Sequence, residues 1–214
     1  MNMLGIPITL IGVVAAAYLL GSIPWGILIT KIFARADVRK AGSGNIGATN
    51  VARVAGPAAG IATLVLDTAK GFLAVWIAGR YSHDSAAWMM IAGLAVLAGH
   101  CFPVWLNFKG GKGVAAALGV FLALSAPAAL ASLTIFALVT AYWKYVSLGS
   151  IAAAAAMPLL IYFLWAPHHA PPTVIIFGTM AAALLIVYKH DANIQRLVEG
   201  SEPKFLASKS DKAE

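Results

Sequence analysis

Residues 114–143 read VAAALGVFLALSAPAALASLTIFALVTAYW and contain no charged side chain. As a single helix this run would be about 45 Å long, which exceeds the ~30 Å hydrocarbon core of a bilayer. Pro127, near its middle, lacks the backbone N–H group that a helix interior needs. We therefore expect two short helices that meet at a turn. A re-entrant hairpin is the alternative, and it would return the chain to the same side of the membrane.

The rest of the chain is also typical of a membrane protein. Of its 214 residues, 61% are hydrophobic and only 11% are charged, whereas a soluble domain has about 25% charged residues. Five further apolar runs have the length of a transmembrane helix, namely residues 6–30, 55–79, 86–106, 146–166 and 172–188. With two passes in 114–143, we predict an all-α integral membrane protein. It would be a bundle of seven transmembrane helices, some of them short.

The distribution of basic residues predicts the orientation of this bundle. Lys and Arg collect in cytoplasmic loops. If residues 114–143 cross twice, the basic loops all share one face and only Arg80 lies opposite. We therefore place the N-terminus outside and the C-terminus in the cytoplasm. The net charge of +7 then indicates topology and attraction to lipid headgroups, not nucleic-acid binding.

The domain organisation is simple. No basic residue precedes Lys31, so the first apolar run fits a retained helix better than a cleaved signal peptide. We expect one membrane-embedded domain over residues 1–214, with a flexible C-terminal tail at about 205–214.

Three polar segments share the predicted cytoplasmic face, and the first covers residues 36–53. It contains SGNIGATNVAR from Ser43 to Arg53. If this loop turns into a helix, its free N–H groups could bind an anion, with the Arg53 guanidinium as a planar partner. Asn45 and Asn50 are either part of that site or turn formers.

The second segment, residues 107–113, ends in Gly110-Gly111-Lys112-Gly113 and leads directly into the apolar run. A glycine loop that enters a helix is a suitable place for a phosphate group. It is not a Walker A loop, because Gly113 stands where that motif has the Ser or Thr that binds Mg²⁺. A simple turn at the membrane edge is the alternative.

The third segment, residues 189–204, carries His190 and Asn193 three residues apart, on one face of a helix. The histidine could exchange a proton near neutral pH, or it could simply meet the carbonyl groups of a helix end. Asp67 and Lys70 have the same spacing inside an apolar run. Charges there face a partner or the interior, so this pair is either structural or part of a ligand site.

Several common catalytic patterns are missing from the sequence. The single cysteine, Cys101, excludes an intramolecular disulfide. The sequence contains no Cys/His zinc cluster, no carboxylate pair placed for a metal and no Gly-x-Ser-x-Gly nucleophile motif. We therefore expect chemistry without a metal ion or cofactor.

Together these segments resemble the bacterial acyl-phosphate:glycerol-3-phosphate acyltransferase family (PlsY). The resemblance extends in order through nearly the whole chain. The matching residues are Gly21-Ser22-Ile23-Pro24, Ser43 to Arg53, Asp67 with Lys70-Gly71, Gly99-His100, Phe102-Pro103, Gly110 to Ala115, and His190, Asn193, Ile194, Arg196, Leu197, Gly200, Glu202 and Lys204. One departure is Ala116, which stands where a Thr is common in the family.

The resemblance implies a seven-helix fold in the bacterial cytoplasmic membrane, with the active site on the cytoplasmic side. It also implies transfer of an acyl chain from acyl phosphate to glycerol 3-phosphate. The products would be lysophosphatidic acid and phosphate, as the first step of phospholipid synthesis. Because acyl phosphate is already activated, positioning and oxyanion stabilisation suffice, without a covalent acyl-enzyme. The expected partners are the two substrates and membrane lipid, with no nucleic acid and no metal, and the working expectation is a monomer.

The resemblance also implies roles for individual residues. The expected catalytic residues are Ser43, Arg53, Lys112, His190 and Asn193; substrate binding is expected for Asn45, Thr49, Asn50, Gly110, Gly111, Gly113 and Glu202; Asp67 and Lys70 could support the site. The proton acceptor is either His190 or a substrate phosphate, and we favour the phosphate.

A transporter or channel for a phosphorylated metabolite is the alternative function. Such a protein would share the anion site. However, transporters often contain an internal repeat, and none is evident in this sequence.

Overall fold

The computed structural model describes residues 8–165 and 171–205, and these ranges fold into α-helices with short connections. The predicted tail beyond residue 205 lies outside the described residues. The α-helices are α1 (Ile8–Gly21), α2 (Trp25–Ala34), α3 (Ala48–Ala55), α4 (Pro57–Ser82), α5 (Ala86–Cys101), α6 (Val114–Leu124), α7 (Ala126–Trp143), α8 (Val146–Leu164), α9 (Thr173–Tyr188) and α10 (Asp191–Val198). Two 3₁₀ turns, Val38–Lys40 and Val104–Leu106, lie in the loops.

Five helical stretches in the described residues are long and apolar enough to cross a membrane. They are Ile8–Ala34, Pro57–Ser82, Ala86–Leu106, Ala126–Trp143 and Val146–Leu164. α9 followed by α10 would make a sixth, although the two are bent by 57°. α6 has 11 residues and is only about 16 Å long, about half the ~30 Å hydrocarbon core, so a crossing there would also use the adjoining loop residues. The helical membrane architecture is confirmed, whereas the count of seven and the orientation of the termini stay predictions.

The long uncharged run is divided as its proline suggested. α6 ends at Leu124 and α7 begins at Ala126, so the break falls at Ser125. The Ser125 hydroxyl donates a hydrogen bond to the Leu164 carbonyl at 3.1 Å. Pro127 lies in the first turn of α7, where its missing N–H group needs no partner. Of the two short helices that we expected, only α6 is short. α7 has 18 residues.

The first apolar run forms the predicted span, Ile8–Ala34, but a break divides it into two helices. α1 ends at Gly21 and α2 begins at Trp25. Pro24 explains the break, because it cannot donate the backbone hydrogen bond of a helix interior. The Ile23 carbonyl at the break accepts a hydrogen bond from Lys70 Nζ at 3.0 Å.

Small residues let the helices pack closely around the site. Gly71 on α4 lies against the Ala116 carbonyl of α6, and Gly119 on α6 lies against the Thr68 carbonyl of α4. A Cβ atom at either glycine would collide with that carbonyl. This contact fixes the start of α6 against α4, and the chain just before α6 is the predicted phosphate loop.

Candidate active site

The second and third predicted segments meet through a chain of polar groups. Lys112 Nζ donates to Asn193 Oδ1 at 2.5 Å, and Asn193 Nδ2 donates to Glu202 Oε1 at 2.6 Å. Arg196 Nε donates to Glu202 Oε2 at 2.7 Å. The Asn193 amide thus has its oxygen toward a cation and its nitrogen toward a carboxylate.

The local fold of the third segment explains this arrangement. Asn193 and Arg196 lie on one face of α10, three residues apart. The chain then reverses at Gly200, which has a φ of +73°. After the turn, the Ser201 and Glu202 N–H groups both bond to the Arg196 carbonyl, at 2.8 and 3.1 Å. The Glu202 carboxylate is thereby returned to the side chains of α10.

The glycine loop is folded back onto the end of α5. The Gly110 N–H donates to the Cys101 carbonyl at 3.1 Å, and the Gly111 N–H donates to the His100 carbonyl at 3.0 Å. Gly111 also lies against the His100 ring, so that a Cβ atom there would collide with Nε2. Gly113 has a φ of +88° and leads into α6. These two bonded N–H groups shape the loop, and the binding of a phosphate by the glycine loop stays a prediction.

Free N–H groups begin one residue later. Within residues 8–165 and 171–205, no acceptor pairs with the N–H groups of Lys112, Gly113 or Val114. They lie just before and at the first residue of α6, where a helix attracts anions. An anion would therefore meet this part of the loop.

Lys112 lies in a cationic and partly desolvated environment. Burial lowers the pKa of its ammonium group to about 8, and the nearby charges of Arg196, Arg53 and Lys189 act in the same direction, against the effect of Glu202. Arg53 comes from α3, so the first segment also contributes to this field. Such a group of cations favours an anionic ligand.

His190 is buried in the turn between α9 and α10. Its Nδ1 atom lies 2.8 Å from the Ile186 carbonyl. A carbonyl only accepts, so Nδ1 carries the proton and Nε2 is an acceptor. Burial is the main reason that the pKa of this imidazole is lowered to about 4. At neutral pH His190 is therefore uncharged and a weak base.

Glu202 stays ionised inside this network. Burial alone would raise the pKa of its carboxyl, but the adjacent Ser147 hydroxyl and hydrogen bonds from Asn193 and Arg196 lower it below its usual value. The carboxylate balances the charge of Arg196 and fixes the Asn193 amide.

Asn50 was expected to be either part of an anion site or a turn former, and its contacts favour the structural role. Its side chain is buried, and Nδ2 donates to the carbonyls of Val38, Ala41 and Asn45 at 3.2, 3.0 and 2.9 Å. Its Oδ1 accepts the Ser43 N–H at 2.9 Å. All polar atoms of the Asn50 side chain are therefore used to fold the loop.

The other predicted residues of this segment fall into two groups. Asn45 Oδ1 accepts the Gly47 N–H at 2.7 Å, as in a turn. Ser43 and Arg53 are exposed, and Thr49 is half-buried near the start of α3. The exposed side chains remain available to a ligand.

Asp67 and Lys70 do not reach this surface. Their side chains form a buried ion pair of 2.8 Å, with 3% and 2% of their surfaces exposed. His100 Nδ1 lies 3.6 Å from Asp67 Oδ1. These residues lie beneath the glycine loop, not among its exposed groups.

Three residues were missing from the predicted site. Arg196 could have been found, because it follows Asn193 by three residues in the same segment. Lys189 was interpreted only as a topology signal, yet its Nζ donates to the Cys101 carbonyl at 3.3 Å and lies 4.8 Å from the centre of the Phe102 ring. Ser147 at the start of α8 lies in no recognisable motif. Within the described residues, no three His, Cys, Asp or Glu side chains are grouped to hold a metal ion.

Comparison with known families identifies the chain. A family model described as glycerol-3-phosphate acyltransferase matches residues 11–200. The chain belongs to the glycerol-3-phosphate acyltransferase family. The resemblance noted in the sequence is thereby confirmed, and the integral membrane character agrees with the helices described above.

Members of this acyltransferase family are similar to the chain along most of its length. The glycerol-3-phosphate acyltransferase of Trichlorobacter lovleyi is 52% identical over 196 residues, which cover 91% of this chain and 96% of the relative. The enzyme of the same name from Syntrophotalea carbinolica is 48% identical over 192 residues, covering 90% and 95% of the two chains.

Solved structures of the acyltransferase family share the fold. The crystal structure of PlsY in its glycerol 3-phosphate form superposes with a TM-score of 0.87 at 37% identity, covering 96% of this chain and all of that one. The lysophosphatidic acid form of PlsY gives a TM-score of 0.84 at 38% identity, covering 92% of this chain and 95% of that one.

Proposed function

We propose that this chain transfers a fatty acyl chain from acyl phosphate to glycerol 3-phosphate, giving lysophosphatidic acid and phosphate. The observation that supports this most strongly is the placement of Lys112. It is held by Asn193 beside unpaired N–H groups, in the field of Arg53 and Lys189. Two phosphate-bearing substrates need such a group of cations. The names of the relatives indicate glycerol 3-phosphate as the acyl acceptor. The family resemblance indicates acyl phosphate as the acyl donor.

In the proposed reaction, a hydroxyl oxygen of glycerol 3-phosphate attacks the acyl carbonyl carbon. A new C–O bond forms, and the bond between the acyl carbon and the phosphate oxygen breaks with its electron pair on phosphate. The hydroxyl proton passes to a phosphate oxygen. No acyl-enzyme is formed, and the residues act by orientation and charge stabilisation.

His190 orients the attacking hydroxyl in this mechanism. With a pKa of about 4, the imidazole is neutral, and Nε2 can accept a hydrogen bond. A base this weak removes a proton poorly at neutral pH. The low pKa therefore supports the substrate phosphate as proton acceptor.

The remaining roles follow from exposure and charge. Arg53 and Ser43, both exposed, bind the phosphate of glycerol 3-phosphate. Lys112 and the adjacent N–H groups stabilise the donor phosphate and the developing oxyanion. Asn193 holds the Lys112 ammonium in place.

The decisive assay uses purified protein in detergent with palmitoyl phosphate. Phosphate should be released only when glycerol 3-phosphate is present, and lysophosphatidic acid should appear in equal amount. Release no greater than that of denatured protein would reject the proposal. Uptake of glycerol 3-phosphate into proteoliposomes without acyl phosphate would instead favour the transporter.

We also propose seven membrane crossings, with α6 and α9 as short spans and the site on the cytoplasmic side of the bacterial inner membrane. The test uses single cysteines at two exposed loop positions, Lys109→Cys and His83→Cys, in a Cys101→Ala background. A membrane-impermeant thiol reagent added to intact cells should label position 83 and not 109. The reverse pattern, or equal labelling, would reject this topology.

A further inference from the structure

Three ionisable side chains are packed beneath the glycine loop. Asp67, Lys70 and His100 are all buried, with 2%, 2% and 4% of the whole-residue surface exposed. Lys70 Nζ lies 2.8 Å from Asp67 Oδ1 and donates to the Ile23 carbonyl. The cluster therefore connects α4, the end of α5 and the break between α1 and α2.

Such a cluster is costly in this position. Ion pairs lose hydration when buried, and apolar side chains of similar volume often stabilise a protein as well or better. The cluster is also incompletely satisfied, since Asp67 Oδ1 and His100 Nδ1 make no hydrogen bond of ordinary geometry within the described residues. Packing of the helices alone gives no reason for three such groups.

The contacts of His100 suggest what the cluster does. Its ring lies directly against Gly111, where a Cβ atom would collide with Nε2, and its carbonyl accepts the Gly111 N–H at 3.0 Å. Gly111 is thus held by the side chain and by the backbone of the same residue. The next residue is Lys112.

We propose that Asp67, Lys70 and His100 are positioning residues that fix the glycine loop relative to α4 and α5. They thereby place Lys112 and the nearby unpaired N–H groups for the donor phosphate. The ion pair fixes α4 to the α1–α2 break, and Asp67 faces the His100 ring. The ring supports Gly111 from below. This inference rests on the proposed function for its kinetic consequences, but the support of the loop can be measured separately.

The first test measures the loop without turnover. Hydrogen–deuterium exchange of the peptide covering residues 107–113 should rise in His100→Asn, because the shorter side chain keeps a polar group toward Asp67 but removes the ring under Gly111. Thr63→Val is the matched control: Thr63 lies one turn before Asp67, is fully buried and donates to the Ala59 carbonyl. Unchanged exchange in His100→Asn, or an equal rise in Thr63→Val, would overturn the proposal.

The second test separates the two substrates. His100→Asn should lower kcat/KM for acyl phosphate by about 10-fold or more, the scale of a small displacement of catalytic groups. The KM for glycerol 3-phosphate should change less, since Arg53 and Ser43 lie on other elements. Equal losses for both substrates would indicate a general structural defect and count against the proposal. Asp67→Asn with Lys70→Met, which removes both charges together, should give the same pattern.

A third test uses the collision between Gly111 and the ring. Gly111→Ala should be strongly impaired, because the new methyl group meets His100. Adding His100→Ala should make room for this group and restore part of kcat/KM. Such coupling is expected only for residues in contact. Additive losses in the double variant would contradict the assigned contact.

The outcomes distinguish the two proposals. If wild-type protein releases no phosphate from acyl phosphate, the proposed function fails, while the exchange measurement still decides whether His100 supports the loop. If wild-type protein is active, but His100→Asn changes neither hydrogen–deuterium exchange of the loop nor kcat/KM for acyl phosphate, the inference alone fails.

Discussion

The two glycine-rich loops are both packed against a buried polar side chain, but that side chain supports each loop in a different way. In each, a glycine lies against a buried polar side chain: Gly42 against the amide oxygen of Asn50, and Gly111 against the ring of His100. Asn50 organises its loop directly, through hydrogen bonds from its own side chain. His100 supports its loop through ring contact and a backbone carbonyl, while its Nδ1 faces Asp67.

This difference separates residues that shape the site from residues that act in it. In the first loop, the Asn50 side chain is fully hydrogen-bonded within the loop, and the exposed Arg53 and Ser43 remain available to a ligand. In the second loop, the Gly110 and Gly111 N–H groups fold the loop, and Lys112 with the unpaired N–H groups after it remains for a ligand. In both cases the residue left over carries the charge or hydroxyl that the proposed chemistry needs.

The largest effect is expected for Lys112→Ala. This change removes the cation that Asn193 holds, and kcat/KM should fall by at least about 10²-fold, as for loss of a key electrostatic donor. Phosphate release from palmitoyl phosphate measures it. Lys109→Ala is the matched control from the exposed part of the same loop and should stay near wild type. Near-normal turnover of Lys112→Ala would mean that the second loop is only a turn.

Arg53→Ala should produce a loss of about 10²-fold in kcat/KM, mainly through a higher KM for glycerol 3-phosphate. Arg53→Lys keeps the charge but not the planar fork, so an intermediate loss is expected. Arg39→Ala is the control, because Arg39 is exposed and paired with Asp37. Wild-type activity of Arg53→Lys would show that charge alone suffices and would argue against bidentate phosphate binding.

Part of the candidate site could be predicted from the sequence. Composition, spacing and resemblance predicted the three polar segments and singled out Arg53, Lys112, His190 and Asn193, and the structure joins Lys112 to Asn193. What the sequence left open was which polar residue faces inward. Asn45 and Asn50 lie in the same motif and look equivalent, yet only the amide of Asn50 meets three carbonyl groups at once.

Other features could not be predicted because they depend on contacts between distant segments. Ser147, at the start of α8, lies beside Glu202, but it belongs to no sequence motif that would predict this contact. The contact of His100 with Gly111 depends on a loop reversal that no local pattern specifies. By contrast, the break at Pro24 carried a local signal, the proline itself, which hydropathy alone does not show.

Asn50→Asp should affect stability more than chemistry. A carboxylate would face the carbonyls of Val38, Ala41 and Asn45 in place of a donor, so a loss of about 2–4 kcal/mol is expected from unsatisfied buried groups. The thermal midpoint should fall, with a loss of activity of roughly 10-fold from displacement of Arg53. Asn45→Asp is the matched control, since a carboxylate can still accept the Gly47 N–H. Equal destabilisation by both changes would contradict the assigned role of Asn50.

The smallest expected effect concerns pH. Because burial lowers the pKa of Lys112 to about 8, its ammonium group is charged below that pH and loses its proton above it. For the free enzyme, kcat/KM should therefore decline several-fold between about pH 8 and pH 9. Bound phosphate groups favour the charged form, so the decline in kcat should occur at higher pH than the decline in kcat/KM. In Lys112→Arg the guanidinium stays protonated, and whatever activity remains should show no such decline. A decline at the same pH in Lys112→Arg would assign the titration to another group, and the loop lysine would then be a charge of ordinary pKa.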